Sequence, residues 1–460
     1  MTAFTCLGTS IASADDAPPP NGIWQSDGYG YAVEINGDRF MLYEHTPISR
    51  IEVGKGDQNA LADLVGRIAL DDDGQHCRTL DPTSVAPIVY RRVDRLPGHK
   101  NSADPAPLDA RHQFDIVWQT FLDHYAFFEL RDVDWNAQRT VWRAKLDAEA
   151  TDAELFEVLS GLLSTLGDNH VELRAEGFEF AQPSGMLDVP LARLWQQEHQ
   201  RSGGDVSLRA FMLGKFHQHV DATSKAIAAQ FVGEAHRGAD DKLVWGMLPD
   251  GIGYLNVRAM GGFAADDVDA EGQLAVLDKA LDRAIADLAD ARAMIVDVRF
   301  NGGGWDTASL RVAGRFADQR RVAFSKKART RDGFTPAHVV YVEPLGPQQF
   351  TRPTLLLTSP LTASAAEIFT YCMHVLPHVT HAGLPTMGIH SDMLVRHLPN
   401  GWSFSLSNEV YASADGHVFE KVGIPPEVEV SMFTADDLRD GKDQIVARAV
   451  EILKSRTTCR

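Results

Sequence analysis

Ser364 lies in the stretch LTASAAE (361–367), where a serine among small residues separates two apolar segments. The preceding TLLLT (354–358) predicts a short buried strand, and the following AAEIFTYCMHVL has apolar residues at helical spacing. Two interpretations of this serine are open. Ser364 and Glu367 match a Ser-x-x-Glu capping box, a common way to start a helix. A serine at a helix N-terminus is also well placed as a nucleophile, because backbone N–H groups there can stabilise an oxyanion.

A glycine-rich turn, RFNGGGWDT (299–307), offers a second element of such a site. Three consecutive glycines allow the backbone to adopt positive φ and to approach a ligand closely. No Gly-Lys-Ser/Thr follows, which argues against a phosphate-binding loop. We expect a glycine N–H of this turn and the N–H of Ala365 to form the two halves of an oxyanion hole, with an ordinary loop as the alternative.

A serine nucleophile needs a base. No lysine occurs between Ser364 and Lys421, which excludes a lysine base close behind the nucleophile. His170 follows the glycine that ends a predicted helix and lies in the short polar turn DNHVELR (168–174), which could present a base. A carboxylate would orient this histidine. Glu409 and Glu420 are both candidates, and the local pattern alone does not separate them.

Metal chemistry is disfavoured by the arrangement of the ligand-type residues. His374, His378 and His381 have spacings of four and three residues, but Pro377 breaks the helix between the first two. The four cysteines are far apart in the sequence and form no CxxC pair, which argues against a zinc site; they are Cys6, Cys77, Cys372 and Cys459. We therefore expect neither a metal nor another cofactor.

The surrounding pattern predicts an α/β catalytic region that follows a helical segment and a small β module. The alternation of IGYLNV (252–257), a helix over 267–290, MIVDVRF (294–300) and TLLLT predicts βαβ units and a mostly parallel sheet. We expect these divisions: a signal-like or disordered tail (1–20), a small antiparallel β module with an Asn36-Gly37 hairpin (21–95), a linker (96–107), a helical segment carrying His170 (108–180), a partly helical insertion of unknown role (181–245) and the α/β core (246–460).

Composition restricts the classes of partner. The chain has 460 residues with 44 Lys and Arg against 63 Asp and Glu, a net charge of −19. An acidic chain is poorly suited to nucleic acid, because binding there depends on neutralising phosphates. No apolar run approaches the roughly 20 residues that a membrane-spanning helix needs. The N-terminal MTAFTCLGTSIASADDAPPP has a cleavage-like ASA without a charged n-region. It favours export to the periplasm or medium, and a flexible tail on a cytoplasmic protein is the alternative.

Several motifs occur in a characteristic order: FDIVWQTFLDHYAFFELRDVDW, LLSTLGDNHVEL, DVRFNGGG, LTSPLTASAAEIF, GLPTMG, LPNGWSFSLSNEVY and GIPPE. This ordered set resembles the C-terminal processing (tail-specific) serine peptidases, and the tricorn-core-like branch among them. The resemblance covers about residues 108–180 and 250–430. It implies a crotonase/ClpP-like α/β core.

The resemblance also implies a role for each matched residue. Ser364 would be the nucleophile, His170 the general base, and Glu409 the acid that supports the histidine through a further polar group. The N–H groups of Gly303 and Ala365 would be the oxyanion donors, with the choice of Gly303 over Gly302 or Gly304 left open.

Three features depart from many relatives. The segment GLPTMGIHSD (383–392) has Ile389 and His390 where those relatives carry a catalytic lysine, which agrees with the His-Glu branch. No PDZ-like carboxylate-binding loop is recognisable, so the sequence gives no basis for recognition of a substrate C-terminus. The N-terminal β module is outside the family core.

The function expected is that of a serine-type peptidase that hydrolyses peptide bonds through an acyl-enzyme. Its substrate would be a peptide or an unfolded protein, and its oligomeric state is open, a homo-oligomer included. The alternative is a non-catalytic protein that binds an apolar ligand or a peptide on the same fold. A non-peptide esterase would use the same site.

Overall fold

The structure is a computed structural model that describes residues 20–97, 109–147, 149–182, 190–201, 203, 208–431 and 444–458. The expected tail (1–20) and linker (96–107) lie mostly outside these residues. The described residues form two compact units. One contains the described residues up to Asp81 and those from Pro87 to residue 97, and the other contains Pro82–Ala86 and the described residues from 109 onwards.

The first unit is an antiparallel sheet with one helix. Its elements are β1 (Gly22–Ser26), β2 (Tyr31–Asn36), β3 (Arg39–His45), β4 (Arg50–Asp57), α1 (Gln58–Val65), β5 (Arg67–Leu70), β6 (His76–Leu80) and β7 (Val89–Val93). The strand order is β4-β3-β2-β1-β7-β6-β5. The hairpin predicted at Asn36-Gly37 is present: Asn36 pairs with Arg39, and Gly37 has a φ of 67°. Alternate strand residues such as Val33 and Ile35 form the core of this unit.

The second unit begins with a helical segment that leads to His170. The helices before His170 are α2 (Ala110–His124), α3 (Trp135–Arg143) and α4 (Asp152–Ser164). After His170 come β8 (Glu172–Ala175), β9 (Phe178–Ala181), α5 (Pro190–Arg201) and α6 (Leu208–Ala228). Helix α4 starts with the capping box that Thr151 and Glu154 form. Its leucines are buried in the segment, and the chain then turns at Gly167, which has a φ of 59°.

The α/β part of this unit contains the other elements. They are β10 (His236–Gly238), β11 (Leu243–Leu248), β12 (Ile252–Val257), α7 (Ala270–Asp287), β13 (Ala293–Asp297), α8 (Asp306–Gly314), β14 (Arg321–Thr330), β15 (Gly333–Phe334), β16 (His338–Val342), β17 (Thr354–Thr358), α9 (Ala365–His374), β18 (Val379–Gly383), β19 (Met393–His397), β20 (Ser403–Ser407), β21 (Glu409–Ser413), β22 (Val428–Glu429) and α10 (Gln444–Thr458), and a 3₁₀ turn lies at Pro249–Gly251.

The central sheet has the strand order β10-β11-β12-β13-β17-β18-β22. All pairs from β12 to β22 are parallel. Every residue of β12, β13 and β17 is buried, as expected for parallel strands covered on both faces. Helices α7, α8 and α9 contribute to the core on one face, and α10 packs in a second core with Ile295 and Leu355. The predicted α/β class with a mostly parallel sheet is confirmed.

The boundary expected between 245 and 246 differs from the structure. It falls inside β11, and both β10 and β11 are antiparallel members of the central sheet. These strands are short, and the turn between them contains Ala239, Asp240 and Asp241, all with positive φ. A polar turn between two short strands obscured the pattern in the sequence, although Trp245 is fully buried.

Two smaller sheets connect distant parts of the chain. Strand β14 pairs with β15, β16 and β21, and the other sheet has the order β19-β20-β8-β9. In the latter, Leu173 pairs with Phe404 and Arg174 with Ser403. The segment that follows His170 is therefore fixed to the strand that precedes Glu409. None of the helices among the described residues is long and apolar enough to cross a membrane.

The close packing of α3 on α4 leads to a stability prediction. A Cβ added to Gly161 would lie 2.1 Å from the ring of Trp142, whose indole N–H donates to Gln138. Gly161→Ala should therefore lower the free energy of unfolding by about 1–3 kcal/mol, as overpacking does. Gly214→Ala is the matched control, because its Cβ would enter open space on α6 and alanine is the better helix former. Urea denaturation of both variants tests this, and equal stability of the two would contradict the packing.

Candidate active site

Ser364 occupies the turn between β17 and α9 in a backbone conformation that is unusual for a residue with a side chain. Its φ is 52° and its ψ is −126°. It is also the N-cap residue of α9, and the predicted capping box with Glu367 is present. The Ser364 N–H donates to Glu367 Oε2 at 3.1 Å. Strained backbone of this kind is concentrated at functional sites, so the cap and the nucleophile interpretations are compatible here.

The glycine-rich turn and the serine turn are held together by buried polar side chains. Asn301 is fully buried, and its Nδ2 donates to the Val257 carbonyl at 3.0 Å. Its own carbonyl accepts the Ala363 N–H at 3.0 Å. Thr362 Oγ1 donates to the Val298 carbonyl at 2.9 Å. These bonds fix the residue before Ser364 against the glycine-rich turn.

Of the three glycines, Gly303 faces the serine turn. A Cβ on Gly303 would lie 2.8 Å from Ser364 Cβ and 3.0 Å from the Ala365 nitrogen. A Cβ on Gly304 would instead meet the backbone of Met260, and one on Gly302 would enter open space. The Gly303 N–H donates to Asn301 Oδ1 at 2.9 Å in this structure. Ser364, Ala365 and Gly303 are thus brought together, with the Gly303 N–H already engaged.

His170 is buried in the loop between α4 and β8, and its backbone is fixed on both sides. Its N–H donates to Asp168 Oδ1 at 3.0 Å, and its carbonyl accepts from Ser405 Oγ at 2.7 Å. Its ring atom Nδ1 is buried and has no hydrogen-bond partner in the described part of the chain. The loop backbone is therefore positioned, while no carboxylate binds this nitrogen.

Glu409 lies in a buried charged cluster. Its Oε2 is 2.9 Å from Lys326 Nζ, and its N–H donates to Ser391 Oγ at 3.0 Å. Burial and the nearby charge of Asp392 raise the pKa of Glu409 to about 7, against the opposing effect of Lys326. Burial and Asp392 also raise the pKa of Asp306 to about 8. The cluster reaches solvent at Asp392, whose side chain is 52% exposed.

Glu420 occupies a different position from Glu409. It shares the contact partner Arg131 with Asp168, which lies in the loop of His170. Its Oε1 is 3.3 Å from Arg131 Nη2, which is also 3.3 Å from Asp168 Oδ2. Its Oε2 accepts the His390 N–H at 2.8 Å. Burial and the charge of Asp168 raise the pKa of Glu420 to about 8, although the His390 N–H and Arg131 oppose this shift. The side-chain contacts of Glu420 thus lead through Arg131 and Asp168 to the loop of His170.

Sequence reasoning missed several residues that shape this site. Lys326 could have been found from its strand, because the two-residue period places it on the same face as Phe324 and Ala328. Asp168 is two residues before His170, where an aspartate commonly accepts a local backbone N–H. Asn301 is likewise two residues before the residue whose N–H it accepts, Gly303. Arg131 carries no such local signal, since its partners are distant in sequence.

The histidines considered for a metal site are arranged differently. His374 Nε2 is 2.8 Å from His381 Nδ1, and His381 Nε2 is 2.6 Å from Thr358 Oγ1. Among the described residues, no three His, Cys, Asp or Glu side chains are arranged to hold a metal ion.

Comparison with known proteins gives consistent results. Residues 251–430 match the model of Peptidase family S41, and residues 107–164 match that of the Tricorn protease C1 domain. The Carboxy-terminal processing protease CtpA of Bacillus subtilis is 26% identical over 142 residues, which are 31% of this chain and 29% of that protein. The chain thus matches less than a third of this curated relative's length.

Solved structures share the fold. A structure from Parabacteroides merdae has a TM-score of 0.59 at 24% identity, over 75% of this chain and 96% of that one. Mature CPAF complexed with lactacystin has a TM-score of 0.53 at 12% identity, over 76% of this chain and 98% of that one. At these identities the likeness is one of fold alone.

The buried carboxyls predict how stability depends on pH. Because the pKa of Glu409 is raised from 4.5 to about 7, the folded chain holds a proton that the unfolded chain has released at intermediate pH. This contribution is present below about pH 4.5 and is lost as the pH rises to 7. For one group the slope is at most about 1.4 kcal/mol per pH unit. Glu409→Gln should make the decline of the unfolding free energy between pH 5 and 8 shallower.

Denaturant titrations at several pH values measure this slope. Glu157→Gln, on the exposed face of α4, is the control and should parallel the unsubstituted protein. An unchanged slope in Glu409→Gln would show that Glu409 does not hold a proton in the folded state.

Proposed function

Since the chain belongs to peptidase family S41, a family of serine peptidases, we propose that it hydrolyses peptide bonds through an acyl-enzyme formed on Ser364. The observation that carries this proposal is the backbone of Ser364. A serine with a φ of 52° lies at the start of α9 and against Gly303. A strained serine at a helix N-terminus, with a glycine turn beside it, is suited to nucleophilic attack within an oxyanion hole.

In the proposed reaction, His170 takes the Ser364 hydroxyl proton as Oγ attacks the substrate carbonyl. The tetrahedral oxyanion accepts the Ala365 N–H and the Gly303 N–H, once the latter has turned away from Asn301. His170 then passes its proton to the leaving amine as the C–N bond breaks, which leaves an ester on Ser364. A water molecule, deprotonated by His170, cleaves that ester and regenerates the serine.

For the acid that supports His170, we retain Glu409, acting through intervening polar groups. Ser407 Oγ and Asn408 Nδ2, on the two residues before Glu409, are buried without hydrogen-bond partners in the described chain, as is His170 Nδ1. Catalytic hydrogen bonds are often long in ligand-free structures and shorten in the substrate complex. When substrate binds, these atoms are the ones that would form hydrogen bonds between Glu409 and His170.

The proposed substrate is a peptide or an unfolded protein. Export is proposed from the first 20 residues, and fractionation of cells that express the full chain tests it. Self-association is tested by sedimentation.

Labelling with a fluorophosphonate probe tests the nucleophile. We expect the unsubstituted protein to be labelled at Ser364, and Ser364→Ala to lose labelling and, if the catalytic residues act as a unit, about 10⁶-fold in kcat on labelled casein. Ser164→Ala, at the exposed end of α4, is the control and should behave as the unsubstituted protein. A folded protein that is never labelled would favour the non-catalytic binding alternative, and labelling that persists in Ser364→Ala would point to another serine.

Two adjacent glycines test the oxyanion hole. Gly303→Ala should lower kcat by roughly 10²- to 10³-fold, the range for loss of one oxyanion donor. The reason is that a Cβ there would clash with Ser364 and the Ala363 carbonyl, at a φ of 104° that alanine rarely adopts. Gly302→Ala should retain activity, because its Cβ enters open space. Similar rates for the two variants would exclude Gly303 from the site.

A further inference from the structure

His390 is a buried histidine whose environment the proposed mechanism does not explain. Its side chain is 1% exposed, and both ring nitrogens lack a hydrogen-bond partner within the described residues. Nε2 is 3.5 Å from Glu367 Oε1, and Nδ1 is 3.8 Å from Glu420 Oε2. Both carboxyl groups are themselves buried, with at most 1% exposure. An imidazole is thus enclosed between two carboxyl groups at distances slightly longer than hydrogen bonds.

The two carboxyl groups lead to different parts of the proposed site. Glu367 accepts the backbone N–H of Ser364, and also those of Gly388 and Ile389 at 2.7 and 2.9 Å. Glu367 is therefore hydrogen-bonded directly to the turn that carries Ser364, called here the nucleophile's turn. His390 is the group that lies between this carboxylate and Glu420.

On the other side, Glu420 leads to the base. It contacts Arg131, and Arg131 contacts Asp168, whose Oδ1 accepts the His170 N–H. Arg131 Nη1 also donates to the Gly167 carbonyl at 2.5 Å, within the same loop. A continuous path of buried polar groups thus joins the nucleophile's turn to the loop of His170, and the imidazole of His390 is its central member.

Building on the proposed function, we propose that His390 is a positioning residue that shares one proton with Glu420 and thereby holds the nucleophile's turn and the base loop in register. A neutral imidazole has one donor and one acceptor nitrogen. Its acceptor nitrogen would face an ionised carboxylate on one side, which is repulsive. One additional proton, on the imidazole or on a carboxyl, removes this conflict. Because Glu367 uses its oxygens to accept three N–H groups, the proton belongs to the His390–Glu420 pair.

The groups that face His390 are consistent with a proton on Glu420. Burial lowers the pKa of His390, the charge of Glu367 opposes this shift, and His170 adds to it. The pKa of Glu420 is raised to about 8. From α9 the ring also packs against Tyr371, with the ring centroids 5.1 Å apart. Above about pH 8, Glu420 would lose the shared proton, and its charge would repel that of Glu367 across the imidazole.

The test uses the rate of fluorophosphonate labelling of Ser364 as a function of pH. His390→Leu should lower this rate by roughly 10²-fold, the cost of a small misplacement of reacting groups. His390→Gln should retain most of the rate, because an amide offers both a donor and an acceptor. Glu420→Gln should abolish the decrease in rate above about pH 8, since an amide cannot lose the proton. His381→Gln, a buried histidine outside the path, is the control and should leave rate and profile unchanged.

A His390→Leu variant that folds and is labelled as fast as the unsubstituted protein, with the same pH profile, would overturn the proposal. So would an unchanged alkaline decrease in Glu420→Gln. If His390→Leu does not fold, the His390→Gln and Glu420→Gln profiles decide the matter.

A second measurement separates this proposal from the proposed function, because it needs no activity. Hydrogen exchange of peptides covering 166–170 and 386–391 should increase together above about pH 8, and should not do so in Glu420→Gln, after correction for the intrinsic pH dependence of exchange. If the unsubstituted protein is not labelled but shows this coupled exchange, the proposed function fails and the coupling holds. If it is labelled but the two segments exchange independently, the coupling fails alone.

Discussion

The positive φ of Ser364 is the constraint on which the arrangement of the site depends. A non-glycine residue held in such a conformation costs on the order of 1–3 kcal/mol, and it persists only where surrounding bonds over-determine it. Here the Ser364 N–H is bound by Glu367, and the Ala363 N–H by the Asn301 carbonyl. The parallel strands β13 and β17 bring the two turns to the same edge of the sheet, where Ser359 and Thr362 bind the carbonyls of Arg299 and Val298.

Burial of charge is the second physical feature of this site. Carboxyl groups removed from water are costly unless they are paired or hydrogen-bonded. Two solutions occur in this chain. Glu367 accepts three backbone N–H groups, whereas Glu409 and Glu420 face other acids as well as one cation each, and both have raised pKa values. Holding these buried acids close together lowers the free energy of unfolding, and they lie around the proposed active site.

The local features of the fold were predictable because local sequence determines them. The buried apolar runs of β12, β13 and β17, the Asn36-Gly37 hairpin and the capping boxes at Thr151 and Ser364 follow from periodicity and turn chemistry. The strands β10 and β11 were missed because a polar turn interrupts them. The local pattern offered Ser364 and His170 as candidates, and the family resemblance chose Glu409 and assigned a role to each of the three.

The partners of the polar groups in the candidate site could not be predicted in the same way. The ion pair between Arg131 and Glu420 joins residues 289 positions apart, and no local period reports such a contact. The sequence alone also left Glu409 and Glu420 equivalent. Only the folded chain shows that Glu409 lies beside Lys326 and that Glu420 lies beside Arg131.

The bond from Ser405 Oγ to the His170 carbonyl has a consequence for the order in which the chain becomes competent. It joins residues 235 positions apart, and β8 depends on β20 in the same way. A growing chain therefore lacks the support of the proposed base until residues beyond 405 have left the ribosome and folded back onto β8. The loop that carries His170 is therefore completed only late in synthesis, by a strand far away from it in the sequence.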